Sequence, residues 1–190
     1  MPVGVPQNDG AGAFASLRQF RAGVPWETML HSWNLLDSHD TARFRTIAGT
    51  RERHLVGVGL QMTMPGVPML FAGDEIGLEG AWGEDARRTM PWDKRETWDH
   101  PFLGEVHALA ALRRSSNALA RGGLRYLHVS ADAIAFLRET RDERLLVLAA
   151  RAPHDAISTP FTALETLYGQ DAHNGVLPAD GPAVHIWRIT

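Results

Sequence analysis

Apolar residues at helical spacing open the readable part of the chain. Phe14, Leu17 and Phe20 sit three apart, with Arg18 between them and Arg21 just after, which predicts a short amphipathic helix from Ala13 after a Pro- and Gly-rich flexible lead-in over residues 1–12. Gly23 and Pro25 stop it, and residues 26–30 lead into a strand. The apolar run Trp33-Asn34-Leu35-Leu36 then ends abruptly in Asp37-Ser38-His39-Asp40-Thr41-Ala42-Arg43. A short apolar segment with a hard polar stop is the pattern of a buried parallel strand whose C-terminal end opens onto a cleft. The same pattern also fits a strand that ends in a surface loop. A second segment repeats it: Pro65-Gly66-Val67-Pro68-Met69-Leu70-Phe71-Ala72-Gly73 closes in Asp74-Glu75. Between the two, residues 50–64 read as a helix with Thr50 as N-cap, and Leu55, Val56, Val58 and Leu60 make it largely apolar. Gly57 and Gly59 each cost about 1 kcal/mol against Ala, which close packing on a sheet would offset. Strand, helix, strand, with acids at both strand ends, predicts a βαβ unit showing its functional face.

Over residues 77–98 periodicity dissolves into Gly, Trp, acid and Arg. A long irregular segment is functional or disordered, and Trp82, Trp92 and Trp98 argue for order. Ring faces beside acids and arginines suit sugar recognition; equally, the tryptophans could cap a hydrophobic edge. Residues 101–117 resume helical spacing with Leu103, Val106, Leu109 and Leu112, and close in Arg113-Arg114 at the helix's negative end. Beyond a boundary at residues 120–123 the period changes to two. Apolar runs at 124–129, 133–137, 145–149, 161–168 and 183–189, parted by turn residues, predict a small antiparallel sandwich.

Composition narrows the chemistry. A net charge of −3 over 190 residues offers no basic surface for nucleic acid, and cysteine is absent, which excludes disulfides, thiolate metal sites and a thiol nucleophile. Nine histidines include no His-Glu-x-x-His pair, so neither metal nor cofactor is expected. The first residues lack the charged start and apolar core of a secretory signal, and no run of about 18 apolar residues spans a membrane. A cytoplasmic protein without a membrane partner is the expectation.

Three stretches carry a resemblance. Leu36-Asp37-Ser38-His39-Asp40-Thr41, then Gly66-Val67-Pro68 through Gly73-Asp74-Glu75, then Arg87-Arg88-Thr89-Met90-Pro91-Trp92-Asp93 are similar, in this order, to motifs of the α-amylase superfamily of glycoside hydrolases. Within it they resemble the neopullulanase, cyclomaltodextrinase and maltogenic amylase branch. Many members carry Asn where Ser38 stands, and Ser leans toward the maltodextrin-degrading branch. The resemblance implies strands seven and eight of a (β/α)8 barrel, the loop that follows, and the eighth helix at 101–117. A whole barrel needs roughly 250 residues. The expected architecture is therefore α/β plus all-β: the C-terminal part of a catalytic barrel at residues 1–121 and a small antiparallel β-sandwich at 122–190.

Retaining glycosidases use two carboxyl groups roughly 5 to 5.5 Å apart, and the α-amylase family adds a third. The resemblance makes Asp40 this third acid, a fixed anion that stabilises an oxocarbenium-like transition state, with His39 hydrogen-bonding the sugar beside it. Arg88 matches a family arginine that contacts a donor-side sugar, with Glu84 or Asp85 as its acidic companion; pairing with Asp93 is the structural alternative. Trp92 completes the substrate-binding set. Arg43 is either the ionic partner of Asp40 or a surface arginine, and Asp74 and Glu75 orient their neighbours. Glu27 reads as a solvated helix-start acid rather than a displaced catalytic one. Ser38-His39-Asp40 spells a hydrolase triad in letters only, since a triad is a spatial arrangement. Neither the nucleophile motif nor the acid/base motif has a match in the chain. The expected function is the C-terminal part of a retaining α-glucan hydrolase acting on α-1,4 or α-1,6 bonds of maltodextrin-type oligosaccharides, inactive alone. The alternative is a non-catalytic carbohydrate-binding or protein-interaction module. Open barrel edges would also permit self-association.

Overall fold

The structure, a computed structural model, describes residues 8–190. Helix α1 (Gly10–Ala22) is capped by Asp9, whose Oδ1 accepts the Gly12 amide at 2.8 Å. It therefore begins inside the stretch expected to be a flexible lead-in; residues 1–7 lie outside the described residues. Gly10 makes this start possible. Its amide donates to the Ala131 carbonyl at 2.7 Å, and a Cβ there would run into the Ser130 carbonyl. Residues 26–30, expected to be extended, belong to α2 (Trp26–His31). Gly23 closes α1, and Pro25 stands as the N-cap of α2.

Strand β1 (Trp33–Asn34) pairs in parallel with β2 (Val67–Pro68), in the register Trp33 to Val67 and Asn34 to Pro68. Between them lie α3 (Phe44–Ala48) and α4 (Arg51–Thr63), the latter capped by Thr50 Oγ1. The strand–helix–strand order is as expected, but each strand is only two residues long. Pro68 has no N–H to extend the ladder, and β1 and β2 form a sheet of two strands among the described residues. Buried Gln61 of α4 ties the pair to the helix, donating to the Asn34 carbonyl at 3.0 Å and the Met69 carbonyl at 2.7 Å.

After a 3₁₀ turn at Asp74–Ile76 come α5 (Gly83–Ala86), a second 3₁₀ turn at Arg95–Thr97, α6 (His100–Ser115) and α7 (Asn117–Arg121). Asp99 caps α6 and Ser116 caps α7. The remaining chain forms β3 (Gly123–Val129), β4 (Ala133–Glu139), β5 (Arg144–Ala150), β6 (Ile157–Ser158), β7 (Leu164–Tyr168), β8 (Val176–Leu177) and β9 (Ala183–Ile189). Five of these make one antiparallel sheet in the order β3-β4-β5-β9-β7, and β6 pairs with β8.

Period two divides the sheet's side chains between two cores. Ile134, Phe136, Leu145, Val147, Val184 and Ile186 meet Val58 and Met62 of α4, Phe102, Val106 and Leu109 of α6, and Leu119 of α7. Ala135, Leu137, Leu146, Leu148 and Trp187 meet Ile157 of β6 and Leu177 of β8. With both faces covered, these strands read as continuous apolar runs. The glycine of α4 that packs on a sheet is Gly59, and the sheet is the antiparallel one: a Cβ there would strike Val184 of β9. Fully buried Arg138 of β4 reaches across to donate to the Thr63 and Gly122 carbonyls, while Arg113 of α6 donates to the Met62 and Met64 carbonyls. Together they satisfy the open carbonyl end of α4.

Candidate active site

Because β1 and β2 are parallel, the chain leaves both at the same end, the end at which strands of this kind present functional groups. The loop after β1 is a tight turn: Thr41 N–H donates to the Ser38 carbonyl at 3.1 Å, Ser38 N–H to Thr41 Oγ1 at 3.0 Å and Asp40 N–H to Ser38 Oγ at 3.3 Å. Ser38 thus serves its own turn and is not placed as a nucleophile. The turn lifts Asp40 into solvent, its side chain 70% exposed. Arg87, just beyond α5, holds it there: Nη2 donates to Asp40 Oδ1 at 3.0 Å and Nε to the His39 carbonyl at 2.8 Å. His39 Nε2 stands 3.4 Å from Asp40 Oδ2. Carboxylate, imidazole and guanidinium thus share one exposed corner.

Beside it, Arg88 donates through Nε and Nη2 to Asp85 Oδ1, at 3.1 and 2.7 Å, so its companion is Asp85 and not Asp93. The Ala81 amide first, and then Arg88, hold the Asp85 carboxyl below its ordinary range. Glu84 is exposed on α5. Trp82 and Trp92 are exposed, and Trp92 meets Trp98 edge-on at 5.8 Å between ring centroids. Trp98 Nε1 donates to the Pro91 carbonyl at 3.1 Å, and Arg95 lies over both rings of that pair. The irregular segment is ordered by such contacts. Glu27 lies exposed in the first turn of α2.

Arg43 is not the partner of Asp40. It turns inward, 1% exposed, and its Nη1 donates to Asp74 Oδ1 at 2.8 Å and its Nε to the Ala86 carbonyl at 2.9 Å. Its guanidinium stacks 3.8 Å from the centre of the Phe71 ring. The physical reason is the greater need of a buried acid for a cation, since an exposed carboxylate is already solvated by water. Asp74 lies not at a strand terminus but in the buried 3₁₀ turn, where burial and then neighbouring Asp37 push its pKa up to about 8 against the opposing pull of Arg43. Glu75 Oε2 accepts the Gly73 amide at 2.8 Å, closing the same turn.

Two functional residues escape the sequence reading. Arg87 adjoins Arg88, and only the short helix α5 decides which of the two faces Asp40. Asp37 looked like one more acid of the turn, yet it is buried, and its Oδ2 accepts the Phe44 amide at 2.6 Å. Among the described residues no group of three or more His, Asp or Glu side chains is placed to hold a metal ion. The corner can therefore offer a fixed anion and an imidazole, with aromatic faces and a paired guanidinium alongside, to a neutral polyhydroxylated ligand or to developing positive charge.

Known proteins are similar to this chain. Neopullulanase 2 of Thermoactinomyces vulgaris is 35% identical over 169 residues, 84% of this chain and 29% of that protein. A cyclomaltodextrinase of a Bacillus species is 35% identical over 130 residues, 67% of this chain and 23% of that protein. The chain thus spans less than a third of the length of these relatives. Among solved structures, the cyclic α-maltosyl-(1→6)-maltose hydrolase of Arthrobacter globiformis matches with a TM-score of 0.83 and 28% identity, over 96% of this chain and 41% of that one. It has also been solved in complex with cyclic α-maltosyl-(1→6)-maltose. The debranching enzyme of Nostoc punctiforme matches with a TM-score of 0.85 and 27% identity, over 97% of this chain and 41% of that one. The family model described as alpha amylase, catalytic domain, matches residues 13–120, more than half of the sequence, and the chain belongs to the α-amylase family of glycoside hydrolases.

Proposed function

We propose that residues 1–121 carry the last two strand–helix units of a (β/α)8 barrel and residues 122–190 a small β-sandwich, and that the chain contributes one wall of the active site of a retaining α-glucan hydrolase. The substrates are maltodextrin-type oligosaccharides with α-1,4 or α-1,6 bonds. Asp40 is the acid that stabilises the oxocarbenium-like transition state, His39 binds the same sugar, and Arg88, Glu84, Asp85 and Trp92 line the neighbouring subsites. Arg43, Asp74 and Glu75 support them from below. The observation that carries this reading is the exposed Asp40 carboxylate held by Arg87 beside His39 at the open end of a parallel strand pair. A fixed anion needs no reorganisation when positive charge develops next to it. The nucleophile and the acid/base belong to strands this chain does not supply, and the open edges of β1 and β2 are where those strands would dock, or where a second copy would associate.

Two assays on the 190-residue chain test this. Incubated with maltoheptaose it should release no sugar above the buffer blank; turnover would overturn the assignment of the two missing carboxyl groups to other strands. In a binding titration, Asp40→Asn should weaken maltoheptaose by at least tenfold. The exposed rings of Trp82 and Trp92 favour the second reading, a carbohydrate-binding module. Binding lost in Trp92→Ala yet unchanged in Asp40→Asn would establish that reading instead.

A further inference from the structure

Between the helices and the end of the sheet lies a cleft of about 710 Å³, to which no residue of the Asp40 corner contributes. Its size is that of a small-molecule site, roughly 300–1,000 Å³. Two helices supply one wall. Glu52 and Leu55 of α4, and Glu105 and Ala108 of α6, stand three residues apart, so each helix presents an acid and an apolar group on one face. The sheet supplies the other wall through its edge strand β7, where the register to β9 slips between Thr166 and Tyr168. In a regular strand Leu167 and Tyr168 would point to opposite faces. The slip turns both toward the helices, where they pack against the core formed by α4, α6 and the sheet. Re-aiming a side chain in this way is what edge bulges do beside functional sites. Tyr168 Oη donates to Glu105 Oε2 from wall to wall, and burial, then Glu105, hold the phenol above its ordinary range, so the donor persists. The turn that follows is fixed as well. Gly169 has a φ of +85°, and a Cβ there would strike His185. Gln170 donates its N–H to His185 Nδ1 at 3.0 Å and its Nε2 to Asp180 Oδ2 at 2.8 Å, and its carbonyl accepts Trp187 Nε1 at 3.0 Å. The cleft is therefore preformed.

The lining selects a class of ligand. Two carboxylates line the cleft and no lysine or arginine does, which disfavours an anion. A cation would gain little, because both glutamates are exposed and exposed ion pairs are weak. What the cleft offers is hydrogen-bond acceptors beside apolar surface: the Glu52 carboxylate and the Glu105 oxygen that Tyr168 leaves free, with the Tyr168 ring, Leu55 and Ala108 alongside. This mixture fits a sugar, whose hydroxyls donate to carboxylates and whose C–H faces rest on apolar groups. We infer that the cleft is a second carbohydrate site, separate from the Asp40 corner, which takes a short neutral oligosaccharide with Glu52 and Glu105 accepting from its hydroxyls and Tyr168 as its platform. The inference rests on the glucan reading only for the identity of the sugar, an α-linked one. A sugar bound there touches residues of both 1–121 and 122–190, so it also ties the sheet to the helices.

Amide NMR of the full chain titrated with maltotriose tests this. The Leu55, Leu167 and Gln170 signals should move saturably, and they should do so equally in Asp40→Asn. Tyr168→Ala should weaken that binding about tenfold, the loss expected for an aromatic platform. If that variant does not fold, Ala108→Trp decides the matter: position 108 is exposed on α6, and an indole there fills the cleft and should abolish the shifts. Maltotriose that leaves the three signals in place, or shifts that survive Ala108→Trp, overturns the inference. So does spermidine, a linear cation, if it moves the signals where maltotriose does not. The location of the shifts separates this site from the glucan reading of Asp40. Shifts confined to His39 and Arg87 leave that reading standing and remove the second site; shifts confined to the cleft do the reverse.

Discussion

The parallel strand pair and the antiparallel sheet are written in similar apolar sequence, and they meet opposite fates. In β4, residues Ala133 through Arg138 are all buried, with strands on both sides, helices over one face and β6 and β8 over the other. Around β1 and β2, Trp33 is 68% exposed, Leu35 48% and Val67 44%. The difference lies in neighbours and not in composition. The sheet region draws its stability from apolar packing. The site region is fixed by directional contacts instead: Arg43 on Asp74, Arg45 and Arg51 on Asp99, Gln61 on two carbonyls. Such a division leaves the site end rigid in its polar groups while its apolar face stays open.

The comparison breaks most visibly in the core. Phe136 of β4 is fully buried between Val147 of β5 and the helices of the first core. Phe136→Ala should cost about 3–5 kcal/mol, the range for deleting a buried aromatic ring, read as a lower urea midpoint with unchanged slope. A loss below about 1 kcal/mol would mean that the sheet is not the seat of stability.

Acid and alkali separate the two regions more finely. Asp74, raised from its ordinary 3.8 to about 8, keeps a proton in the folded chain that the unfolded chain gives up; its contribution is full below 3.8 and is lost as pH rises through 8. His54 behaves in the opposite sense. Buried between Phe44 and Phe102, it is pushed down from 6.5 to about 4 by burial and then by Arg45. Its contribution is present above 6.5 and lost as pH falls through 4. His185, lowered chiefly by burial, adds to that acid-side loss. Between about pH 4 and 6.5 the Asp74 and His54 contributions oppose one another and stability should stay nearly level, whereas above 6.5 the Asp74 loss is unopposed and stability should fall. The alkaline limb, with a slope on the order of 1 kcal/mol per pH unit up to about pH 8, belongs to the site region. Urea midpoints across pH check this, and Asp74→Asn should flatten the alkaline limb and uncover a fall below pH 6.5 that belongs to His54 in the helix core.

How much of this was legible in the sequence follows the same line. The three longest helices announced themselves through period and caps, as at Thr50 and Phe14, because those signals are local, whereas the short helices α2, α3, α5 and α7 carried too little period to be seen. The five long apolar runs were legible as strands, whereas the two-residue strands β6 and β8 carried too little pattern to see. The corner of Asp40 and His39 could be located from its motif. Arg87 could not, because adjacent arginines are equivalent until a turn of helix separates them. Arg43 was legible as an ionic partner but was matched with the wrong acid. Sequence proximity favoured Asp40, and burial, which decides such pairings, depends on where the 3₁₀ turn carries Asp74.

Trp33 offers the smallest effect and the most direct test of the open face. With 68% of its surface in water it contributes little burial, and an exposed side chain away from caps and ion pairs shifts stability by no more than about 0.5 kcal/mol when replaced. Trp33→Ser should therefore leave the urea midpoint unchanged. It should also reduce concentration-dependent association in sedimentation velocity, because a contiguous apolar patch with Leu35 and Val67 is the kind of surface through which copies adhere. A loss of more than about 2 kcal/mol is the signature of removing buried apolar surface. In that case Trp33 would already be covered in solution by a second copy, and the contrast between the open strand pair and the closed sheet would vanish on dimerisation.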